Sequence, residues 1–169
     1  AAFMDSRKSL VARFKFGNDV FEIINDHWAS RRGTTPWNSA HTPPIIGGEE
    51  KRNGQALTVR GRMEQVQKAE PNVDVFKVGD SNTTEQSPTI KELTKNGLAN
   101  LTLELIPRED RFDYNYRGTQ QVLCPIVSTA AVFKEGRVEM QYIHANSVSP
   151  LDDSDHDHSI MRIKTRKAA

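Results

Sequence analysis

The sequence predicts a mixed α/β (α+β) layer structure, and three observations predict it. Apolar residues alternate with polar ones near the start, one long central stretch carries apolar residues at three- and four-residue steps, and the last third consists mostly of short strand-like runs. The 169 residues amount to one unit on the prior of roughly 150 residues per domain. A hydrophobic share of 36% and a charged share of 27% predict a folded but thin core.

Leu10, Ala12, Phe14 and Phe16 alternate with Arg13 and Lys15, the pattern of a strand with one buried face. Gly17-Asn18-Asp19 supplies a turn before a second apolar run, Val20 to Ile24, so a hairpin ending at Asn25-Asp26-His27-Trp28 is expected. Residues 29–48, rich in Arg, Gly, Thr, Pro and Ser, predict a long loop of the kind that is usually functional or disordered. From Glu49 the spacing of Ala56, Val59, Met63 and Val66 predicts a helix with two carboxylates in its first turn, stopped near Glu70 by Pro71.

Val73 to Val78 reads as a short strand followed by Gly79-Asp80-Ser81-Asn82. Ser87-Pro88 then opens a helix as N-cap and first residue, with Ile90 and Leu93 inward and Gly97 at its end. Three more strands are expected at Phe112–Tyr116, Gln121–Val127 and Val138–His144, and an acidic loop, Leu151 to His158, leads into a last strand, Ile160 to Ile163. Asp74 and Lys77 interrupt a strand that should be almost continuously apolar if buried on both faces. Either one face is wetter or another surface covers it, and with the lean apolar fraction this suggests a half-fold whose open sheet needs a partner.

Twenty-three basic against 22 acidic side chains, a formal +1, argue against a dedicated polycationic binder of nucleic acid. Cys124 is the only cysteine, which excludes an internal disulfide and a multi-thiolate zinc site. No apolar run approaches the roughly 20 residues that span a bilayer, so no membrane partner is expected. The first residues carry no signal-peptide pattern, and the compartment is not written there.

Three polar clusters adjoin predicted strands: Asn25-Asp26-His27, Asp80-Ser81-Asn82 and Asp155-His156. Carboxylate, amide and imidazole together are the parts that hold a hard cation, orient a water and stabilise a phosphoryl transition state. Each alone has an ordinary alternative: a surface histidine, a turn capped by its own side chains, or a solvated acidic loop. Cys124, on an apolar run, is expected to be buried and inert.

These stretches carry a family resemblance. Ser6-Arg7-Lys8-Ser9-Leu10, Asn25-Asp26-His27-Trp28, Glu49-Glu50-Lys51-Arg52-Asn53, Gly79-Asp80-Ser81-Asn82, Gln121-Val122-Leu123 and Ser154-Asp155-His156-Asp157 occur in the order seen in the endonuclease/exonuclease/phosphatase superfamily. Nearly the whole chain resembles the C-terminal part of such a domain, most similar to bacterial secreted nucleases related in fold to deoxyribonuclease I. The implied fold is part of a four-layer α/β sandwich, with mixed sheets face to face and helices outside.

The resemblance implies metal-dependent hydrolysis of phosphodiester or phosphomonoester bonds with Mg²⁺ or Mn²⁺. It implies His27 and His156 as catalytic histidines, Asp80 as the carboxylate that polarises or deprotonates the attacking water, and Asn82 as an amide that orients water or phosphate. Asp155 and Asp80 are the implied metal ligands. Arg7 and Arg31 are candidate phosphate contacts by charge, against the alternative that both are solvated surface cations.

Two departures weaken the implied activity. The family's metal-binding glutamate and an asparagine come from a first half that this chain does not contain, and Cys124-Pro125 stands where an aspartate that orients the second histidine is expected. His156 would then have a poorly specified tautomer, with Asp152, Asp153 or Asp157 as substitute partners. The isolated chain is therefore expected to bind metal weakly and to be impaired, acting on DNA, RNA or a small phosphate ester only when a second copy or a complementing N-terminal half completes the site. The alternative is a non-catalytic fragment that binds phosphate or nucleic acid or serves in assembly. A secretion signal, if the full-length family context holds, would precede this chain.

Overall fold

The computed structural model describes residues 2–36, 38–116, 118–144 and 154–166. Strand β1 (Leu10–Phe16) and strand β2 (Asp19–Asn25) form the expected hairpin, with Gly17 at a φ of 59° supplying the left-handed turn. Helix α1 (Glu49–Ala69) then crosses over to strand β3 (Val73–Val78), which pairs parallel to β2. A parallel pair requires such a crossover. Helix α2 (Pro88–Leu93) begins where Ser87 Oγ accepts a hydrogen bond from the Ile90 amide.

Short elements follow: strand β4 (Ala99–Asn100), helix α3 (Leu101–Leu105), strands β5 (Tyr114–Tyr116) and β6 (Thr119–Gln121), strand β7 (Val127–Ser128) and helix α4 (Ala130–Lys134). Strands β8 (Val138–Ile143) and β9 (His158–Ile163) close the chain as an antiparallel pair. The central sheet has the order β1-β2-β3-β7-β4, and β5–β6 forms a separate ribbon. This is the mixed α+β class that the sequence predicts.

The four α1 positions chosen by spacing, Ala56, Val59, Met63 and Val66, are all buried against Ile24, Val73 and Val75 of the sheet and Ile90 and Leu93 of α2. Full burial of such side chains contributes about 1.5–3 kcal/mol each before entropy. On the opposite face, Phe76 packs with Leu101, Val132 and Val138, and Met140, Met161 and Ile163 of the β8–β9 pair lean on the same cluster.

Three expectations are corrected. Of the two alternatives for Asp74 and Lys77 the wetter face is overturned and the covering surface holds: β3 is buried from Val73 to Lys77. Asp74 accepts hydrogen bonds from Arg137 Nη2 at 2.6 Å and Arg166 Nη2 at 3.0 Å, and Lys77 donates to the Gly79 carbonyl at 2.8 Å and to Ser81 Oγ. Asp74 is buried as a paired charge, and the buried Lys77 ammonium has a carbonyl and a hydroxyl as acceptors.

The apolar face of β1 is not buried either. Leu10, Phe14 and Phe16 are 65%, 56% and 72% exposed, because β1 is the sheet edge and this face lies opposite α1. It is Arg13, on the other face, that ties β1 down, by pairing with buried Glu22 at 2.8 Å and with Glu70 at 2.6 Å. The uncovered apolar row is continuous, through cross-strand pairs Phe14↔Phe21 and Ala12↔Ile23, with the half-buried surface of β2.

The expected strand Gln121–Val127 is interrupted. Pro125 has no N–H to pair, and the amides of Leu123 and Cys124 are taken by the Asp113 carboxylate. Of the acidic loop, Leu151 to Asp153, including Asp152, lie outside the described residues. No helix among the described residues is long and apolar enough to cross a membrane.

Candidate active site

Parallel pairing of β2 and β3 brings their carboxyl ends side by side, with Asn25 opposite Val78. The chain leaving each strand continues the register: the Asp26 amide donates to the Val78 carbonyl at 3.0 Å and the Trp28 amide to the Asp80 carbonyl at 2.9 Å. The crossing is so close that a Cβ on Gly79 would lie 2.2 Å from the Asp26 carbonyl oxygen, and Gly79 has a φ of 92°. Only glycine fits there. The consequence is that His27 and Asp80, 53 positions apart by number, meet: His27 Nε2 lies 3.4 Å from Asp80 Oδ2.

Asn82 fixes that carboxylate. Its amide N–H donates to Asp80 Oδ1 at 2.6 Å and its side-chain Nδ2 to Asp80 Oδ2 at 3.0 Å, while Nδ2 also reaches the Trp28 carbonyl at 3.2 Å. Beneath the two loops Trp28 is fully buried, with Lys77 Nζ 4.7 Å from its ring centre. Burial pushes the Lys77 ammonium pKa down, opposed by the nearby Asp26 carboxylate.

His156 arrives from the far end of the chain. An isolated bridge pairs it with Tyr114 of β5, and the neighbouring Asp157 amide donates to the Asp113 carbonyl at 2.7 Å. The Asp157 carboxylate lies 2.9 Å from His144 Nδ1, and the His144 ring stacks on Phe112 at 3.9 Å, so both flanks of the segment are held. His156 Nε2 thereby comes within 3.8 Å of Asp80 Oδ2. One carboxylate oxygen stands between two imidazoles.

The expectation that His156 lacks an orienting aspartate is overturned. Asp113, 1% exposed, places Oδ1 3.1 Å from His156 Nδ1, and it is itself fixed by the amides of Leu123 and Cys124. Its hydrogen bond, with further attraction from Asp80, raises the His156 pKa above the ordinary histidine value, against the effect of burial. With the Asp113 carboxylate as acceptor, Nδ1 is the donor of that hydrogen bond, and Nε2 faces Asp80. Asp157, one of the substitute partners considered, faces His144 instead.

Cys124 Sγ sits 3.4 Å from His156 Nδ1, but burial and the Asp113 and Asp80 carboxylates push its pKa well above the ordinary thiol value. The raised pKa favours the protonated thiol, and Cys124 is half-buried rather than buried as expected. Asp80, Cys124 and His156 have potential ligand atoms within 4.8 Å of one another. One oxygen, one sulfur and one nitrogen are a poor donor set for Mg²⁺. The hard donors are Asp80 and Asp155, whose carboxylates border the same space.

That space is a cavity of about 780 Å³ lined by His27, Asp80, Asn82, Tyr114, Asp155 and His156, with Arg7, Arg31 and Lys51 around it. The residues implied as catalytic, metal-binding or phosphate-binding, His27, Asp80, Asn82, Asp155, His156, Arg7 and Arg31, all border it, whereas Asn25, Asp26, Ser81 and Cys124 do not line it. Arg31 Nη2 donates to Gln121 Oε1 at 2.7 Å, and the loop carrying it is anchored by fully buried Arg52, whose Nη1 donates to the carbonyls of Ala29, Ser30 and Gly47. Sequence reasoning missed Asp113 and Tyr114. The signal for the former was a carboxylate within an apolar-aromatic run, Phe112-Asp113-Tyr114, which buries it.

No family model matches the chain, and no curated protein matches it in sequence. Solved structures do match in fold. Truncated TDP2 of Caenorhabditis elegans aligns over 92% of this chain and 60% of its own at a TM-score of 0.63 and 14% identity. An endonuclease/exonuclease/phosphatase family protein from Leptotrichia buccalis aligns over 93% and 53% at 0.59 and 14%. TDP2 of D. rerio, complexed with single strand DNA product, aligns over 91% and 60% at 0.56 and 15%. The chain thus spans 60% or less of the length of these three structures. Its fold is the deoxyribonuclease I-like fold of endonuclease/exonuclease/phosphatase proteins.

Proposed function

We propose that this chain carries part of the active centre of a phosphodiester or phosphomonoester hydrolase and is impaired when isolated. The observation that supports this most is the placement of Asp80 between His27 and His156 in one cavity, with Asn82 holding Asp80 and Asp113 holding His156. In this reading Asp80 accepts a proton from a water, the water oxygen attacks phosphorus, and the bond to the leaving oxygen breaks as that oxygen takes up a proton from solvent. His156 and His27 would stabilise the charge that builds up on the non-bridging oxygens. Arg7 and Arg31 contribute further positive charge to the same cavity.

Asp80 and Asp155 fit a hydrated Mg²⁺ or Mn²⁺, since such ions are held by one or two carboxylates and keep several waters. Such an ion would supply charge neutralisation at the phosphate. We read the chain as a single unit equivalent to the C-terminal part of a domain related to bacterial secreted nucleases. The exposed apolar face of β1 supports a complementing N-terminal half or a second copy as the partner that completes it. TDP2 of D. rerio with its single strand DNA product supports nucleic acid as the substrate to test first.

The test is turnover of plasmid DNA and of a generic phosphate diester with Mg²⁺, with Mn²⁺ and with chelator, beside Asp80→Ala and His156→Ala. Slow metal-dependent turnover that falls by about 10²–10⁴ in each variant is expected. No turnover by chain shown to be folded would favour the non-catalytic reading instead.

A further inference from the structure

Strand β5 places two aromatic rings in line with the catalytic histidine. The Tyr114 ring lies 5.1 Å from the His156 ring and borders the cavity, and the Tyr116 ring follows at 6.4 Å, within 10° of parallel to Tyr114. Tyr116 is 51% exposed, so the row runs from the reaction centre outward to solvent. The spacing follows from the pleat: residues two apart on a strand point to the same face. The 6.4 Å between the near-parallel rings is close to twice the roughly 3.4 Å rise per nucleotide of a stacked strand, the spacing of two rings about one base.

A cation stands on the same face. Gln121 is the cross-strand neighbour of Tyr114 in the β5–β6 ribbon, and it accepts the hydrogen bond from Arg31 that holds this guanidinium at the cavity. One short ribbon therefore presents a phosphate-binding charge and two π-faces side by side, at a fixed distance from His156. A small phosphate ester would use the charge and leave the rings idle. A duplex would present its phosphates but keep its bases stacked on one another, out of reach of the rings.

We infer that Tyr114 and Tyr116 form a base-stacking shelf that makes single-stranded nucleic acid the polymer this site takes. The shelf rests on the hydrolase reading for its purpose but not for its binding. Stacking on aromatic rings is tolerant of sequence, so no base preference accompanies it. The two tyrosines are separated by Asn115 and acquire a common face only once β5 forms.

The test is binding of a fluorescently labelled short oligodeoxynucleotide, its ribonucleotide counterpart and the blunt duplex formed with its complement, with chelator present to prevent turnover. Wild-type chain should bind both single strands more tightly than the duplex. Tyr116→Ala should weaken single-strand binding by about fivefold to a hundredfold, the loss of one stacked base, with duplex binding unchanged. Tyr116→Leu, which keeps apolar bulk and strand preference without the π-face, should behave as Tyr116→Ala, and Tyr116→Phe as wild type. Equal weakening for duplex and single strand, or wild-type binding by the leucine variant, would overturn the shelf. Turnover of the generic diester by wild type without preference for single strands would overturn the shelf and leave the hydrolase reading standing. Tyrosine-dependent binding without any turnover would do the reverse.

Discussion

Asp113→Asn is the perturbation that isolates how the structure sets the state of His156. The two side chains are nearly isosteric, but the amide lacks the charge toward which four donors converge: the amides of Leu123 and Cys124, the Tyr142 hydroxyl at 3.4 Å and His156 Nδ1 at 3.1 Å. A hydrogen bond to a charged group contributes about 1.5–3 kcal/mol, so a loss of about 2 kcal/mol is expected where His156 is cationic. The folded His156 pKa lies above its unfolded value near 6.5, so this stabilisation is fully present below about pH 6.5 and is lost as pH rises through the folded pKa. Urea unfolding across that range should therefore show wild type losing stability toward alkaline pH and the variant lacking this slope. NMR titration of the His156 ring should show its pKa lowered in the variant. If the hydrolase reading is right, turnover should fall by about 10²–10⁴, as for other losses of a group that orients a histidine. An unchanged His156 titration in Asp113→Asn would refute the reasoning, whatever happened to activity.

Two further outcomes are expected. Asp74→Ala should destabilise the chain by about 1.5–3 kcal/mol in urea unfolding, since it removes the buried carboxylate shared by Arg137 and Arg166 while Glu135 still pairs with Arg137; a loss below about 1 kcal/mol, the scale of surface pairs, would count against a buried pairing. By light scattering the isolated chain should have an apparent mass above that of a monomer, and Phe14→Lys on the exposed face of β1 should return it to monomer; strictly monomeric wild type would remove the case for a partner on that face.

Much of the first half of the fold was legible because its signals are local and long enough to repeat. Helix α1 runs for 21 residues and shows its buried stripe several times over, and Ser87-Pro88 marks the start of α2 by cap chemistry alone. Helices α3 and α4 have five residues each, and strands β4 and β7 two, too few to display a period. Strand β1 shows the limit of a clear pattern: alternation identified a strand with one apolar face but not whether anything covers that face.

Of the candidate site, His27, Asp80, Asn82, Asp155 and His156 were readable as residue types that end or adjoin strands. By itself the sequence determined which side chains could do chemistry and where the long elements lie, because side-chain type and backbone propensity are properties of a residue and its near neighbours. Tertiary structure alone decided the pairings: His27 with Asp80 through parallel β2 and β3, Asp113 with His156 across 43 positions, Asp74 with Arg137 across 63. Such pairings depend on how loops close and sheets order, and a carboxylate in a sequence carries no mark of the cation or imidazole that folding will bring against it.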